Sequence, residues 1–150
     1  MKLAEALSER SDIRSRISQL QGRLEMNARV QEGEKPAEDP EALLAELNGL
    51  CARLEELIRR INLTNAQTLS DGETLTALLA RRDVLNLQIE TMRGFLREAS
   101  ALTSRGMRSE IKILSTVNVQ QYRAKTDALS KALRELDVRI QGLNWTTELI

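Results

Sequence analysis

Apolar residues recur along this chain at steps of three and four. The first such stretch is Leu3, Leu7, Ile13, Ile17, Leu20 and Leu24, with Arg10 filling one inward slot, and it predicts an amphipathic helix over 3–27. The second is the most regular: Leu43, Leu47, Leu50, Leu54, Leu57 and Ile61, flanked by a row of Leu44, Cys51 and Ile58. It predicts a helix over 41–66 whose apolar face is wide enough for a bundle rather than a two-stranded seam. Asp39 before Pro40 marks its start, because a carboxylate caps free N–H groups and proline suits the first turn. A third stripe, Leu75, Leu78, Leu85, Ile89, Met92 and Leu96, predicts a helix over 74–103, with Arg82 on its apolar row. The fourth runs Val119, Tyr122, Thr126, Leu129, Leu133, Leu136, Ile140 and Leu143, over 119–143, and Asn118 with Gln121 reads as a capping box ahead of it.

Between these helices the period changes twice. Ala28, Val30 and Glu32 alternate, as do Ile111, Ile113, Ser115 and Val117, so 28–32 and 111–117 read as strand-like. Helices of about 25–30 residues would each span roughly 38–45 Å at 1.5 Å per residue. Their matched lengths predict a mainly α fold in one domain, 1–150. We expect an antiparallel four-helix bundle or coiled-coil-like set, with the two strand-like segments pairing as a small β ribbon at one end.

An up-and-down course would then gather the polar interruptions at the opposite end. The second apolar seam turns polar in "RRINLTNAQT", directly after Ile61. Asn62, Asn65, Arg81, Arg82, Asp83, Asn144 and Trp145 are the candidate ligand-binding residues. Guanidinium forks suit a carboxylate or phosphate. The competing reading is a polar layer that fixes helix register, with Trp145 as a lid, and it is the favoured one.

Composition narrows the chemistry. The chain has 150 residues, with 22 Lys and Arg against 22 Asp and Glu, so it lacks the surplus cations of a general nucleic-acid binder. Phe95, Tyr122 and Trp145 are its aromatics, too few for base-stacking platforms. With no histidine and one cysteine, the common nucleophile pairs and His or Cys metal sites are excluded. We therefore assign no catalytic residue, no metal and no cofactor. Cys51 lies in an apolar helical pattern and is expected to be a small buried hydrophobe. The start, "MKLAEALSERSD", is charged throughout, and the longest uncharged runs, Ile61–Ser70 and Ile113–Tyr122, are ten residues each and half polar. No transmembrane segment is expected, and a cytoplasmic setting is.

The stretches "NARVQEGEKPAEDP", "RINLTN", "TLTALLARRD", "SEIKILSTVNV" and "LDVRIQGLNWTTEL" together resemble a septicolysin-like bacterial family of otherwise unknown function. The resemblance implies a small helical protein and, through its name, a cytolysin. The leading functional expectation is a non-enzymatic helical protein that forms homo-oligomers and works through protein contacts. Val84, Leu87 and Val138, off the main stripes, support it. The alternatives are membrane activity, which the family name suggests, and binding of a small anion at the Asn/Arg-rich end.

Overall fold

The structure is a computed structural model that describes residues 1–102 and 111–150. Four long helices dominate it: α1 (Leu3–Met26), α2 (Pro40–Gln67), α3 (Leu75–Ser100) and α4 (Val119–Thr146). Between α2 and α3 lie two short strands, β1 (Leu69–Ser70) and β2 (Glu73–Thr74), which pair with each other. The chain is therefore mainly α with a two-stranded antiparallel ribbon. It divides into two compact units, one of Met1–Ser70 with Leu143–Ile150, the other of Asp71–Gly142.

Helix starts follow from side-chain chemistry. Asp39 accepts a hydrogen bond from the Glu41 N–H at 3.1 Å ahead of Pro40, and Thr74 accepts one from Ala77 at 3.1 Å. Asn118 accepts one from Gln121 at 3.1 Å at the start of α4. The third predicted helix ends earlier than its pattern suggests, at Ser100, and position 103 lies outside the described residues.

The ribbon exists, but elsewhere than expected. Residues 28–32 and 111–117 form no strand. The first stretch belongs instead to a loop shaped by side chains and by Gly33, whose φ of +85° is open to glycine without strain. Asn27, 7% exposed, donates from Nδ2 to the Arg23 carbonyl at 2.8 Å and accepts from the Glu38 N–H at 2.9 Å. Arg23 adds a fork onto Glu38, with Nε donating at 3.1 Å. The observed ribbon turns at Asp71 and Gly72, whose φ values of 49° and 81° are both left-handed. Two left-handed central residues give the tight turn whose twist matches paired strands.

In the first unit, α1 and α2 lie side by side and antiparallel. Ion pairs fix the register: Arg53 with Glu9 at 2.7 Å, and Arg16 with Glu46 at 3.4 Å, so numbers rise on one helix as they fall on the other. Leu3, Ala6, Ile13 and Leu20 are buried on α1, and Leu43, Leu50, Leu57 and Ile61 on α2. Each fully buried leucine is worth about 1.5–3 kcal/mol. In the second unit α3 and α4 are also antiparallel neighbours: the Arg93 guanidinium reaches Ser130 Oγ at 3.4 Å, and that of Arg123 reaches Ser100 Oγ at 3.0 Å. Leu75, Leu78, Ile89 and Leu96 are buried on α3, and Leu136 and Ile140 on α4.

Candidate functional site

The seven candidate residues are divided between the two units. Asn62, Asn65, Asn144 and Trp145 fall in the first, and Arg81, Arg82 and Asp83 in the second. Asn62 is exposed, Asn65 half-buried and Asn144 buried. Trp145 is 65% exposed, so its ring is largely in water rather than folded over a core. Arg81 forks onto Glu73, which holds the Glu73 carboxyl below the ordinary carboxylate range. Arg82 Nε sits 3.5 Å from the Asp83 carboxylate.

The polar stretch after Ile61 has a definite task in the first unit. Thr64 is fully buried, its hydroxyl donating to the Arg60 carbonyl at 2.8 Å and accepting from the Ile150 N–H at 3.0 Å. Arg60 Nε donates to the Ile150 carbonyl oxygen at 2.8 Å. The segment so captured also pairs with the other end of the chain. Leu3 N–H donates to the Thr147 carbonyl, and Leu149 N–H to that of Met1, each at 2.9 Å, forming an antiparallel bridge between Lys2 and Glu148. Lys2 Nζ lies 2.6 Å from Glu148, and lysine and then the Met1 amino group hold the Glu148 carboxyl below its usual range. Leu149 is buried beside this clasp.

On α2 the buried row Leu43, Leu50, Leu57 is shadowed by a second row one residue on: Leu44, Cys51 and Ile58. Successive residues lie about 100° apart around a helix of 3.6 residues per turn, so the second row looks away from the first. Leu44 is 42% exposed, and Cys51 is exposed, not buried as its surroundings in the sequence suggested. A wide apolar face shows that a helix has more than one partner direction, but not which flank is covered. Leu47, Leu54 and Ile58 are half-buried along the same surface. A shallow groove of about 470 Å³ lies there, lined by Cys51, Leu54, Glu55, Ile58 and Arg59.

The second unit holds a different concavity. A groove of about 570 Å³ runs between α3 and α4, with Arg93 and Arg97 on one side and Ser130 and Arg134 on the other. A smaller one of about 250 Å³ adjoins it, lined by the same two α3 arginines with Arg123 and Asp127. None of its residues is among the seven candidates. Its signal was present as arginines four residues apart on α3, and a serine and an arginine four apart on α4.

A family model matches residues 10–149. The chain belongs to DUF6847, a family of unknown function. The crystal structure of a functionally unknown conserved protein from Corynebacterium diphtheriae is similar to this DUF6847 chain at 42% identity. The similarity covers 100% of this chain and 99% of that one, with a TM-score of 0.93. No curated protein matches. The resemblance to a septicolysin-like family is thereby overturned: neither the matching family nor the Corynebacterium protein points to a septicolysin. Among the described residues no helix is long and apolar enough to cross a membrane.

Proposed function

We propose that this DUF6847 protein is a non-enzymatic helical protein that works through contacts between copies of itself, made by the outward face of α2. The observation that supports this is the row of Leu44, Cys51 and Ile58, seven residues apart and backed by Leu47 and Leu54. Apolar side chains at heptad spacing on a water-facing helix have a burial term still to gain, and a second helix of the same kind is the partner that fits them. The row is nearly symmetrical about Cys51. An antiparallel, two-fold pairing would set Leu44 of one copy against Ile58 of the other and bring the two Cys51 thiols together. Two-fold self-complementary patches are the commonest basis of homodimers. The reading takes the protein as cytoplasmic, where a lone exposed thiol stays reduced.

Sedimentation equilibrium over a wide concentration range tests it. A dimer is expected, converted to monomer by Leu44→Glu with Ile58→Glu at unchanged helix content. Mild oxidation should join two chains through Cys51. A strict monomer at several hundred micromolar would sink the proposal, and so would a dimer indifferent to both substitutions.

A further inference from the structure

We propose that the groove between α3 and α4 binds a small phosphorylated molecule through Arg93, Arg97, Arg123 and Arg134. The placement begins with helix period. Arg93 and Arg97 are one turn apart on α3, and Ser130 and Arg134 one turn apart on α4, so each pair presents one face of its helix. Antiparallel packing turns these faces to a shared groove of about 570 Å³. Arg123 extends it through the adjoining concavity, which Arg93 and Arg97 also line.

What these four arginines share is their place around two adjoining concavities. Some arginines elsewhere meet carboxylates, as Arg23 does Glu38, Arg53 Glu9, Arg60 Glu56, Arg81 Glu73 and Arg139 Asp71, while among the described residues Arg10, Arg14, Arg29 and Arg59 do not. Among the described residues, Arg93, Arg97, Arg123 and Arg134 make no ion pair. Arg93 and Arg123 contact only neutral hydroxyls, Ser130 Oγ at 3.4 Å and Ser100 Oγ at 3.0 Å. Like charges four residues apart disfavour a helix by a few tenths of a kcal/mol, about as much as an opposite pair favours it. Arg93 and Arg97, in no ion pair, therefore repel each other on α3, and an anion between the helices relieves that repulsion.

The charge balance identifies the ligand class. Glu90 and Asp127 also line the two concavities, so four guanidinium groups face two carboxylates. A ligand carrying two or more negative charges neutralises the excess. One carboxylate has too few oxygens and too little charge for four forks, whereas a phosphate or pyrophosphate group offers several oxygens to planar bidentate donors. Ile89 and Leu96, both buried, line the concavities beneath arginines that are themselves exposed and so accessible to a ligand. A volume of about 570 Å³ falls in the range of small-molecule sites. The zero net charge of the whole chain favours a small ligand over a nucleic-acid backbone, which needs a basic face.

The test is calorimetric titration of the full chain with inorganic pyrophosphate and with ADP, in low salt and again in 0.3 M salt. Saturable binding is expected, weakening with salt. Arg93→Gln with Arg134→Gln should weaken it at least tenfold at unchanged circular dichroism. Arg14→Gln, on the exposed surface of α1, should leave it unchanged. Arg93→Lys, which keeps the charge but loses the fork, should fall between. No heat at millimolar pyrophosphate or ADP overturns the proposal, as does binding insensitive to the double substitution. Tighter binding of a single-stranded oligonucleotide than of either small anion also overturns it, by showing a nucleic-acid surface.

Discussion

Replacing Thr64 by valine removes one oxygen and keeps the shape of the side chain, so it isolates the hydroxyl at the centre of the terminal clasp. Thr64 is fully buried, and its oxygen is the acceptor for the Ile150 N–H at 3.0 Å. Valine leaves that N–H without its partner. A net hydrogen bond is worth about 1 kcal/mol, and stranding a buried donor costs about 1–3 kcal/mol. The Ile150 amide is only partly buried and regains some water, which puts the expected loss near the lower end, about 1–2 kcal/mol. For a chain of this size each kcal/mol shifts the melting temperature by roughly 2–4 °C. Urea unfolding should show a lower midpoint at unchanged slope, and exchange of the Ile150 amide should quicken. Thr64→Ser is the control: it keeps the oxygen and loses one methyl. The decisive comparison is a chain shortened by Leu149 and Ile150, in which Thr64→Val should cost less than about 0.5 kcal/mol, because the donor it served is gone. A neutral Thr64→Val in the full chain, or an equal cost in both backgrounds, would refute the role assigned to this hydroxyl.

Leu57, fully buried on α2, should lose about 3–5 kcal/mol on truncation to alanine; a change under 1 kcal/mol by chemical denaturation would mean the core lies elsewhere. Asn27→Ala removes the Glu38 N–H bond that closes the loop before α2 and the bond to the Arg23 carbonyl at the end of α1, for about 1–3 kcal/mol, and limited proteolysis should then cut within residues 28–38. Acid should destabilise the protein through Glu9, Glu38, Glu73 and Glu148. Their folded values are held below the ordinary 4.5 by Arg53, Arg23, Arg81 and Lys2 respectively, so their contribution is full above that pH and fades as pH falls through the lowered values. Urea midpoints from pH 6 to pH 3 should decline, and Arg53→Gln should flatten the decline; an unchanged profile would remove the Glu9 pair from the account.

The parts of this fold that repeat along a helix were readable from sequence, because burial on a helix has a period. Leu43, Leu50, Leu57 and Ile61 announce themselves this way, as do the caps at Asp39 and Asn118, which act within three residues. Cys51 is exposed despite its apolar pattern, because period alone does not distinguish the two flanks of a wide apolar face. Alternation around Val30 and Ile113 is a weak local signal and makes no ribbon. The ribbon forms around Asp71–Gly72, where aspartate before glycine is the stronger mark of a hairpin. The clasp had no local signal: Lys2 meets Glu148 because the tertiary fold brings the ends together. The arginines of the α3–α4 groove were visible singly, but whether two polar rows face each other is decided by packing.

The clasp also has a consequence for the order of folding. The first unit is discontinuous: its last piece, Leu143–Ile150, follows the whole of the second in the chain. During synthesis, residues 71–142 are available before the segment that Thr64 and Arg60 must capture. If they fold first, the contact of Arg139 with Asp71 at 3.2 Å already brings both ends of the insertion together. That roughly halves the loop to be closed between Lys2 and Glu148, and each halving spares about 0.6 kcal/mol of chain entropy. The energy is small, but the sequence of events it favours is definite. The bridge between Lys2 and Glu148 is then the last contact to form. A circular permutant that links the present termini and opens the chain in the 28–38 loop would make the clasp local, and should speed the final folding step.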